Sequence, residues 1–465
     1  MALAAFITTA DNTVVNIALP AIRDDLGMPL TGLQWVVTAY VLTFSALMLA
    51  GGRLADVYGR KRALMTGMAI FTVASLVAAL APTGEVLIVA RLVQGTGAAF
   101  VVPAALAILT VGQNERQRDL GAAVWMVAMA AALASGPVLG GWLSERLHWS
   151  WIFHINLPIG VATLALAGWA VPETRDPDAA GLDLPGLLTS GAALTAGTFL
   201  LIEGGRLGWD SPVVLAVALA AAGGGAAFVA AERRRAHPMI DLPLLRHRAL
   251  AGGAAAQMIW GLGVNGVFFF TSLALQNVLH YSGTQAGMVF LPLAGLVVVV
   301  APLTPLIVAA VGAHRTVATG LGLVAAGMLQ LSMAGPESTF PSLLPGIAAV
   351  GIGSALSVPL TSSVLAAVPE ARAGVAGGIL GLAREVSGIL GVGAIGVIVT
   401  TTEASAAADG ADPAHAFTAG YAAGLRTAAA LLLVGALIAL FTLPRRQSPP
   451  PVASRAAVTA SSRDL

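Results

Sequence analysis

Apolar residues run along this chain in blocks as long as the ~20 residues that an α-helix needs to cross a bilayer. The blocks predict spans near 2–20, 31–53, 62–81, 86–108, 120–143, 152–171 and 183–203. Further spans fall near 212–231, 250–275, 285–311, 316–334, 342–368, 373–400 and 420–443. That makes fourteen, and an even number puts both termini on one side of the membrane. The first block starts almost at Met1, which is short for the ~20 residues required. The first 19 residues lack the basic region of a secretory signal and read as a first span. Pro292, Pro302 and Pro305 should bend the tenth span, because proline removes a backbone donor and clashes with the preceding turn.

The loops alternate in basic content. With the N-terminus inside, inside segments hold 17 of the 24 Lys and Arg residues, and outside loops hold Arg23, Arg146 and Arg206. This is the positive-inside bias, and one missed span would erase it. Both termini are therefore expected in the cytoplasm. The longest inside loop, ERRRAHPMIDLPLLRHR at 232–248, divides eight spans from six. The outside loop at 401–420 is polar and reads as flexible, and the Pro- and Ser-rich tail from 445 reads as disordered. Trp142, Trp149, Trp151 and Trp209 fall near the outside ends of spans and read as interface anchors.

Composition agrees with a polytopic membrane protein. Of 465 residues, 57% are hydrophobic and only 10% charged, against about 25% charged in soluble chains. Mean hydropathy is +0.85. The net charge of +1 gives no electrostatic case for nucleic acid. With no cysteine there are no disulfides and no thiolate metal sites or nucleophiles. No Walker A loop, no H-E-x-x-H and no G-x-S-x-G elbow occurs, which removes ATP hydrolysis, zinc proteolysis and the serine hydrolase elbow. The arginine-rich, lysine-poor usage points to a bacterial source.

Against this background Asp11 stands out. It lies inside the first span, with Asn12 and Asn16 beside it. An ionisable group at the bilayer centre costs at least about 2.5–3.5 kcal/mol, so it reads as a functional site. Arg91 lies 5–6 residues into the fourth span from the outside, about 8–9 Å deep at ~1.5 Å per residue. Arg384 and Glu385 sit near the middle of the thirteenth span, about 100° apart on a helix. The loop GRLADVYGRKRAL at 52–64 sets Asp56 among Arg53, Arg60, Lys61 and Arg62, with Gly52 and Gly59 allowing tight turns. It is either a basic anchor or a latch that opens in another conformation. Glycines crowd the spans, among them Gly136, Gly140 and Gly141. Small residues let helices approach closely, for packing or for sliding.

The complete pattern G-x-L-A-D-x-x-G-R-K resembles the signature loop of the major facilitator superfamily. LIVARLVQGTGAA at 87–99, with Arg91, resembles its fourth-helix motif. LASGPVLGG at 133–141 resembles the fifth-helix motif of its antiporters, with Gly136, Pro137, Gly140 and Gly141 in place and Ala132 where an earlier glycine is usual. ADNTVVNIALP and WSWIFHINLPIG resemble the first- and sixth-helix motifs of the fourteen-helix drug:proton antiporter branch, and fourteen spans is that branch's hallmark. The resemblance covers essentially the whole chain. It speaks to fold and branch, not to substrate.

The resemblance implies an all-α fold with two six-helix bundles, at 1–171 and 250–443, around a central cavity. Two inserted helices occupy 172–231, a basic cytoplasmic loop 232–249 and a tail 444–465. It implies proton-coupled export of small amphipathic or cationic compounds, drugs and antibiotics among them, by alternating access. Asp11 would carry the proton, with Arg91 as its partner if spans 1 and 4 are neighbours; a static ion pair is the alternative. Glu385 is a second candidate proton site, or a helix-to-helix bond. Gly52, Asp56, Gly59, Arg60 and Lys61 would form the latch, and Gly136, Pro137, Gly140 and Gly141 would seal the outside. Candidate cavity residues are Asn12, Asn16, Gln34, Tyr40, Met126, Trp260, Asn265, Phe268 and Gln276, each alternatively a packing residue; Met and aromatic side chains suit variable apolar ligands. No cofactor is expected beyond the proton motive force. The expected partners are a small-molecule substrate and the cell-membrane bilayer, with the protein a monomer. A dedicated exporter of an endogenous metabolite is the alternative function. A membrane-embedded transferase is a remote one, since the spans hold few carboxylates and no nucleophile cluster.

Overall fold

A computed structural model describes residues 1–110, 114–176, 183–234, 240, 242–369 and 372–445. The tail beyond 445 and part of the basic loop, including Arg235, lie outside the described residues. The chain is helical throughout. Its helices are α1 (Ala2–Leu26), α2 (Leu30–Tyr58), α3 (Arg60–Ala79), α4 (Gly84–Thr110), α5 (Glu115–Arg146), α6 (Trp151–His154) and α7 (Asn156–Ala170). Then come α8 (Leu184–Leu207), α9 (Pro212–Arg234), α10 (Arg248–Asn277), α11 (Gly283–Val289), α12 (Leu291–Val300) and α13 (Thr304–Val311). The last are α14 (Ala313–Leu331), α15 (Phe340–Ser357), α16 (Pro359–Leu365), α17 (Ala373–Ala408) and α18 (Pro413–Thr442).

Among the described residues, thirteen helical stretches are long and apolar enough to cross a membrane. Helix α14, with His314 and Arg315 in its first turn, packs beside them on α15 and α18 as the fourteenth. The proline-rich tenth span is indeed interrupted. It is built from α11, α12 and α13, with Pro292 at the start of α12, Pro302 inside a 3-10 turn and Pro305 at the start of α13. A further break stands at Val358 before Pro359, where the proline lacks the N–H that would continue the helical hydrogen bonds.

Two predictions need correction. The stretch 401–420 is not a flexible loop. Helix α17 runs on to Ala408 and α18 begins at Pro413, capped by Asp412, whose carboxylate accepts from Ala414 N and His415 N at 3.0 and 3.1 Å. Its polar residues reflect a helix leaving the bilayer rather than a loss of helix. Trp149 is not an interface anchor. It is 3% exposed, packs edge-on against Phe153, and its indole N–H donates to Asp25 at 2.7 Å.

Helices α1 to α7 pack on one another, and α10 to α18 do likewise. Gly51 lies against the Ala99 backbone and Gly95 against the Tyr40 carbonyl, so α2 and α4 touch backbone to backbone. In lipid, where apolar burial drives little association, such close approach is what binds helices. Helix α8 lies across α2 and α17 and carries α9 on its outer side; α9 buries only Val214 and Glu232. Buried Glu203 of α8 accepts from the Trp35 indole at 3.0 Å and from Arg206 at 2.6 Å.

Candidate functional site: a buried polar cluster beneath a closed end

Asp11 is 2% exposed and Arg91 fully buried. Arg91 donates to Asp11, and its Nε donates to the Val36 carbonyl at 3.0 Å. Gln94, one helical turn on, accepts from Arg91 at 2.6 Å and donates to the other Asp11 oxygen at 2.8 Å. Asn156 donates to that same oxygen at 2.8 Å, and Ser75 accepts from both amides, at 2.9 Å from Gln94 and 3.3 Å from Asn156. The guanidinium lies over the Tyr40 ring, 4.5 Å from its centroid, and 5.9 Å from that of Phe153. Cation–π contact of this kind strengthens when water is excluded.

Three helices, α1, α4 and α7, thus meet on one carboxylate, and α2 and α3 join the cluster through Arg91 and the two amides. The helix register explains how: Arg91 and Gln94 are three residues apart and share a face of α4. Asn156 begins α7, just after the break at Ile155 that separates it from α6. Asp11 and Arg91 were expected near one another, and the structure places them in contact. Sequence reading did not single out Ser75 or Asn156. The signal for Asn156 was an amide inside the apolar run WSWIFHINLPIG.

Above this cluster, at the end opposite the chain termini, the two bundles meet. Ser272 donates to the Asn16 carbonyl at 2.8 Å and Gln276 to the Ile17 carbonyl at 2.9 Å. Arg23 donates to Asn277 at 3.3 Å, and Glu145 accepts from Thr284 N at 2.9 Å. Gln34 donates to the Val392 carbonyl at 3.3 Å. These hydrogen bonds between the bundles all lie at this end. The antiporter-motif residues pack here too. A Cβ on Gly136 or Gly140 would collide with Thr13 or the Val14 carbonyl of α1. A Cβ on Gly141 would collide with the Gly283 backbone, and Gly287 faces the Pro137 carbonyl.

The loop before α3 lies at the other end. Asp56 accepts from Arg60 at 2.8 and 3.1 Å across Gly59, whose φ of 117° favours glycine. Glu173, which sequence reading missed, accepts from Lys61 N at 3.0 Å and Arg62 N at 3.2 Å, and so covers the α3 N-terminus. Lys61 Nζ donates to the Gly168 carbonyl at 2.8 Å. Gly52 packs on Pro103 of α4. None of these contacts reaches the second bundle.

The candidate cavity residues divide. Asn12 and Asn16 each keep a buried, unpartnered side-chain oxygen, and Trp260 a buried, unpartnered indole nitrogen. Asn265 donates to the Gly261 carbonyl at 2.8 Å, and Phe268 stacks on Phe290 with centroids 4.9 Å apart. Met126 is 59% exposed. Gln34 and Gln276 are committed to the closed end instead, and Tyr40 to Arg91, with its hydroxyl donating to the Thr8 carbonyl at 3.3 Å. Glu385 is partly buried on α17 and has no hydrogen bond or ion pair among the described residues. Among those residues no cluster of His and carboxylates could hold a metal ion.

Known proteins carry the same organisation. Residues 1–392 match the family model described as Major Facilitator Superfamily. The chain is 34% identical to the multidrug resistance protein Stp of Mycobacterium tuberculosis, over 85% of this chain and 74% of that one. It is 34% identical to the puromycin resistance protein pur8 of Streptomyces alboniger, over 98% and 92%. It is 35% identical to the cephamycin export protein CmcT of Amycolatopsis lactamdurans, over 85% and 82%. In fold it resembles the crystal structure of the POT family transporter PepTSo, with a TM-score of 0.70 at 14% identity over 94% of this chain and 95% of that one. It also resembles the inward-facing bacterial homologue of the lysosomal transporter Spinster, with a TM-score of 0.64 at 14% identity over 95% of each. This multi-pass cell-membrane chain belongs to the major facilitator superfamily, a family of transporters.

Proposed function

We propose that this protein exports small amphipathic drugs or antibiotics, cationic ones among them, in exchange for protons. Both termini and the arginine-rich loops face the cytoplasm, which the distribution of Lys and Arg supports. The closed end is then the outside, and the conformation described is open, or opening, toward the cytoplasm. Transport proceeds by rocking of the α1–α7 bundle against the α10–α18 bundle. No cofactor takes part, and the protein works as a monomer.

The observation that carries this reading is Asp11 in its cluster, directly below the inter-bundle contacts of the same helix at Asn16 and Ile17. A tilt of α1 within its bundle, accompanying the rocking that opens the closed end, disturbs the Asp11–Arg91 pair. A carboxyl parted from its cation in a low-dielectric site favours its protonated form. Asp11 thus takes a proton when the outside opens and gives it up when the pair reforms. Glu385, unpaired on α17, is a second group for the same cycle. Gly52, Asp56, Gly59, Arg60 and Lys61 act as a latch, bracing the start of α3 within the first bundle.

The test is transport by wild type and Asp11→Asn in liposomes loaded with a lipophilic cation under an imposed pH gradient. Wild type should drive cation movement with counterflow of protons. Asp11→Asn should bind the cation but lose the coupling. Unchanged coupling would make Asp11 a static brace and shift the proton site to Glu385. A second reading, dedicated export of an antibiotic made by the same cell, draws support from relatives described both as resistance and as export proteins.

A further inference from the structure

Among the described residues Arg384 and its neighbour Glu385, near the middle of the membrane-crossing α17, are both left without a side-chain hydrogen bond or ion pair. Arg384 is exposed. A free guanidinium inside a bilayer faces protein or a water-filled cavity rather than lipid.

Helix geometry says which way it faces. On α17, Gly381 and Gly388 look at Met48 and Val41 of α2, at 3.5 and 3.4 Å from the position of a Cβ. Gly391 looks at the Leu262 carbonyl of α10 at 2.6 Å, and the Ser387 side chain abuts Gly261 of α10. At about 100° per residue, Arg384 falls between these two faces. Helices α2 and α10 belong to opposite bundles, so Arg384 points into the space between them.

A second donor stands at the same level. Gly261 packs within 3.6 Å of the Arg384 carbonyl, from where its Cβ would be. Its neighbour Trp260 holds the unpartnered, buried indole N–H. A guanidinium and an indole N–H are donors only. What completes them is an acceptor, and the cation asks that it be negative.

We infer that Arg384, assisted by Trp260, is an anion-binding site in the space between α2 and α10, and that the transported class includes amphipathic carboxylic acids. This rests on the transporter reading and narrows its substrate. Glu385, the next residue on the α2-facing side, opposes the anion by charge and keeps the acid from binding too tightly to leave.

The experiment is equilibrium binding to the purified full-length protein in detergent, which needs no proton gradient. The probes are dansyl-aminoundecanoic acid, its methyl ester, and tetraphenylphosphonium as a cation. Wild type should bind the acid about tenfold or more tighter than the ester, as a charge-assisted pair predicts. Arg384→Gln should bring acid and ester within about twofold, Arg384→Lys should keep part of the preference, and Glu385→Gln should tighten the acid several-fold by removing the repulsion. Equal affinity of wild type for acid and ester overturns the proposal, and so does an undiminished preference in Arg384→Gln. Should Arg384→Gln not fold, Glu385→Gln decides alone: an unchanged or weakened acid affinity counts against the site. Acid-selective binding without gradient-driven transport would sink the antiport reading and spare this one. Cation export without acid selectivity would do the reverse.

Discussion

Gly141 of α5 and Gly283 of α11 lie backbone against backbone, so closely that a Cβ on Gly141 would overlap the Gly283 carbonyl. They belong to different bundles. Their contact joins the antiporter-motif segment to the start of the interrupted tenth span, and beside it Glu145 accepts from Thr284 N at 2.9 Å. Closure at this end therefore depends on the absence of two side chains.

Gly141→Val should block that closure. Overpacking costs about 1–3 kcal/mol, enough to shift the open–closed balance about fivefold or more. Spin labels on Arg23→Cys and Asn277→Cys, in this cysteine-free chain, should report a longer distance in the variant. An unchanged distance would mean that α5 and α11 can separate without opening the end.

The Asp11 cluster makes a stability prediction distinct from transport. Removing one member of a buried ion pair strands the other, at a cost of about 3–5 kcal/mol, while an apolar pair of similar volume is often tolerated. Arg91→Met should lower the melting temperature in detergent sharply. Arg91→Met with Asp11→Leu should recover much of it and still fail to transport. Recovery of transport in the double variant would remove the cluster from the coupling mechanism.

Glu173 braces the α3 N-terminus through Lys61 N and Arg62 N. A carboxylate there satisfies orphan donors and meets the positive end of the helix dipole. Glu173→Ala should cost about 0.5–2 kcal/mol locally, as loss of a helix cap does. Hydrogen exchange at residues 60–63 should rise while substrate affinity stays within a factor of about two. Exchange confined to the wild-type rate would show that Asp56 and Arg60 hold the turn alone.

Asp412 lies outside the spans, and the backbone N–H of His415, then its side chain, hold the carboxyl below the ordinary carboxylate range. A depressed value means the cap contributes above the unfolded carboxyl value. The contribution fades as pH falls through the folded one. Exchange protection at the start of α18 should thus be greater in wild type than in Asp412→Ala at neutral pH. The difference should vanish in strong acid. A difference that persists in strong acid would assign the protection to the preceding turn rather than to the charge.

Much of the architecture was legible in one dimension. A bilayer demands about 20 apolar residues per crossing, and that length is a property of the chain alone. So is the punctuation of the tenth span by Pro292, Pro302 and Pro305. Asp11 and Arg91 announced themselves because charge in an apolar run is costly wherever the run folds. Helix ends were less legible. The polar stretch after 400 read as a loop because hydropathy senses the bilayer, whereas backbone hydrogen bonds carry α17 on to Ala408.

The partners of these residues emerge only in three dimensions. Asn156 reaches Asp11 across 145 residues, and Gln276 reaches Ile17 across 259. Neither spacing leaves a periodic trace, so Asn156 looked like an isolated amide and Gln276 like a cavity residue. Glu173 and Glu203 gained their roles from whichever backbone N–H or indole the fold brought beside them. Hydropathy along the chain fixes how many helices cross the membrane and which charges lie among them. The packing of glycine on glycine between two bundles determined which end is closed. That packing rests on missing Cβ atoms between segments far apart in the chain.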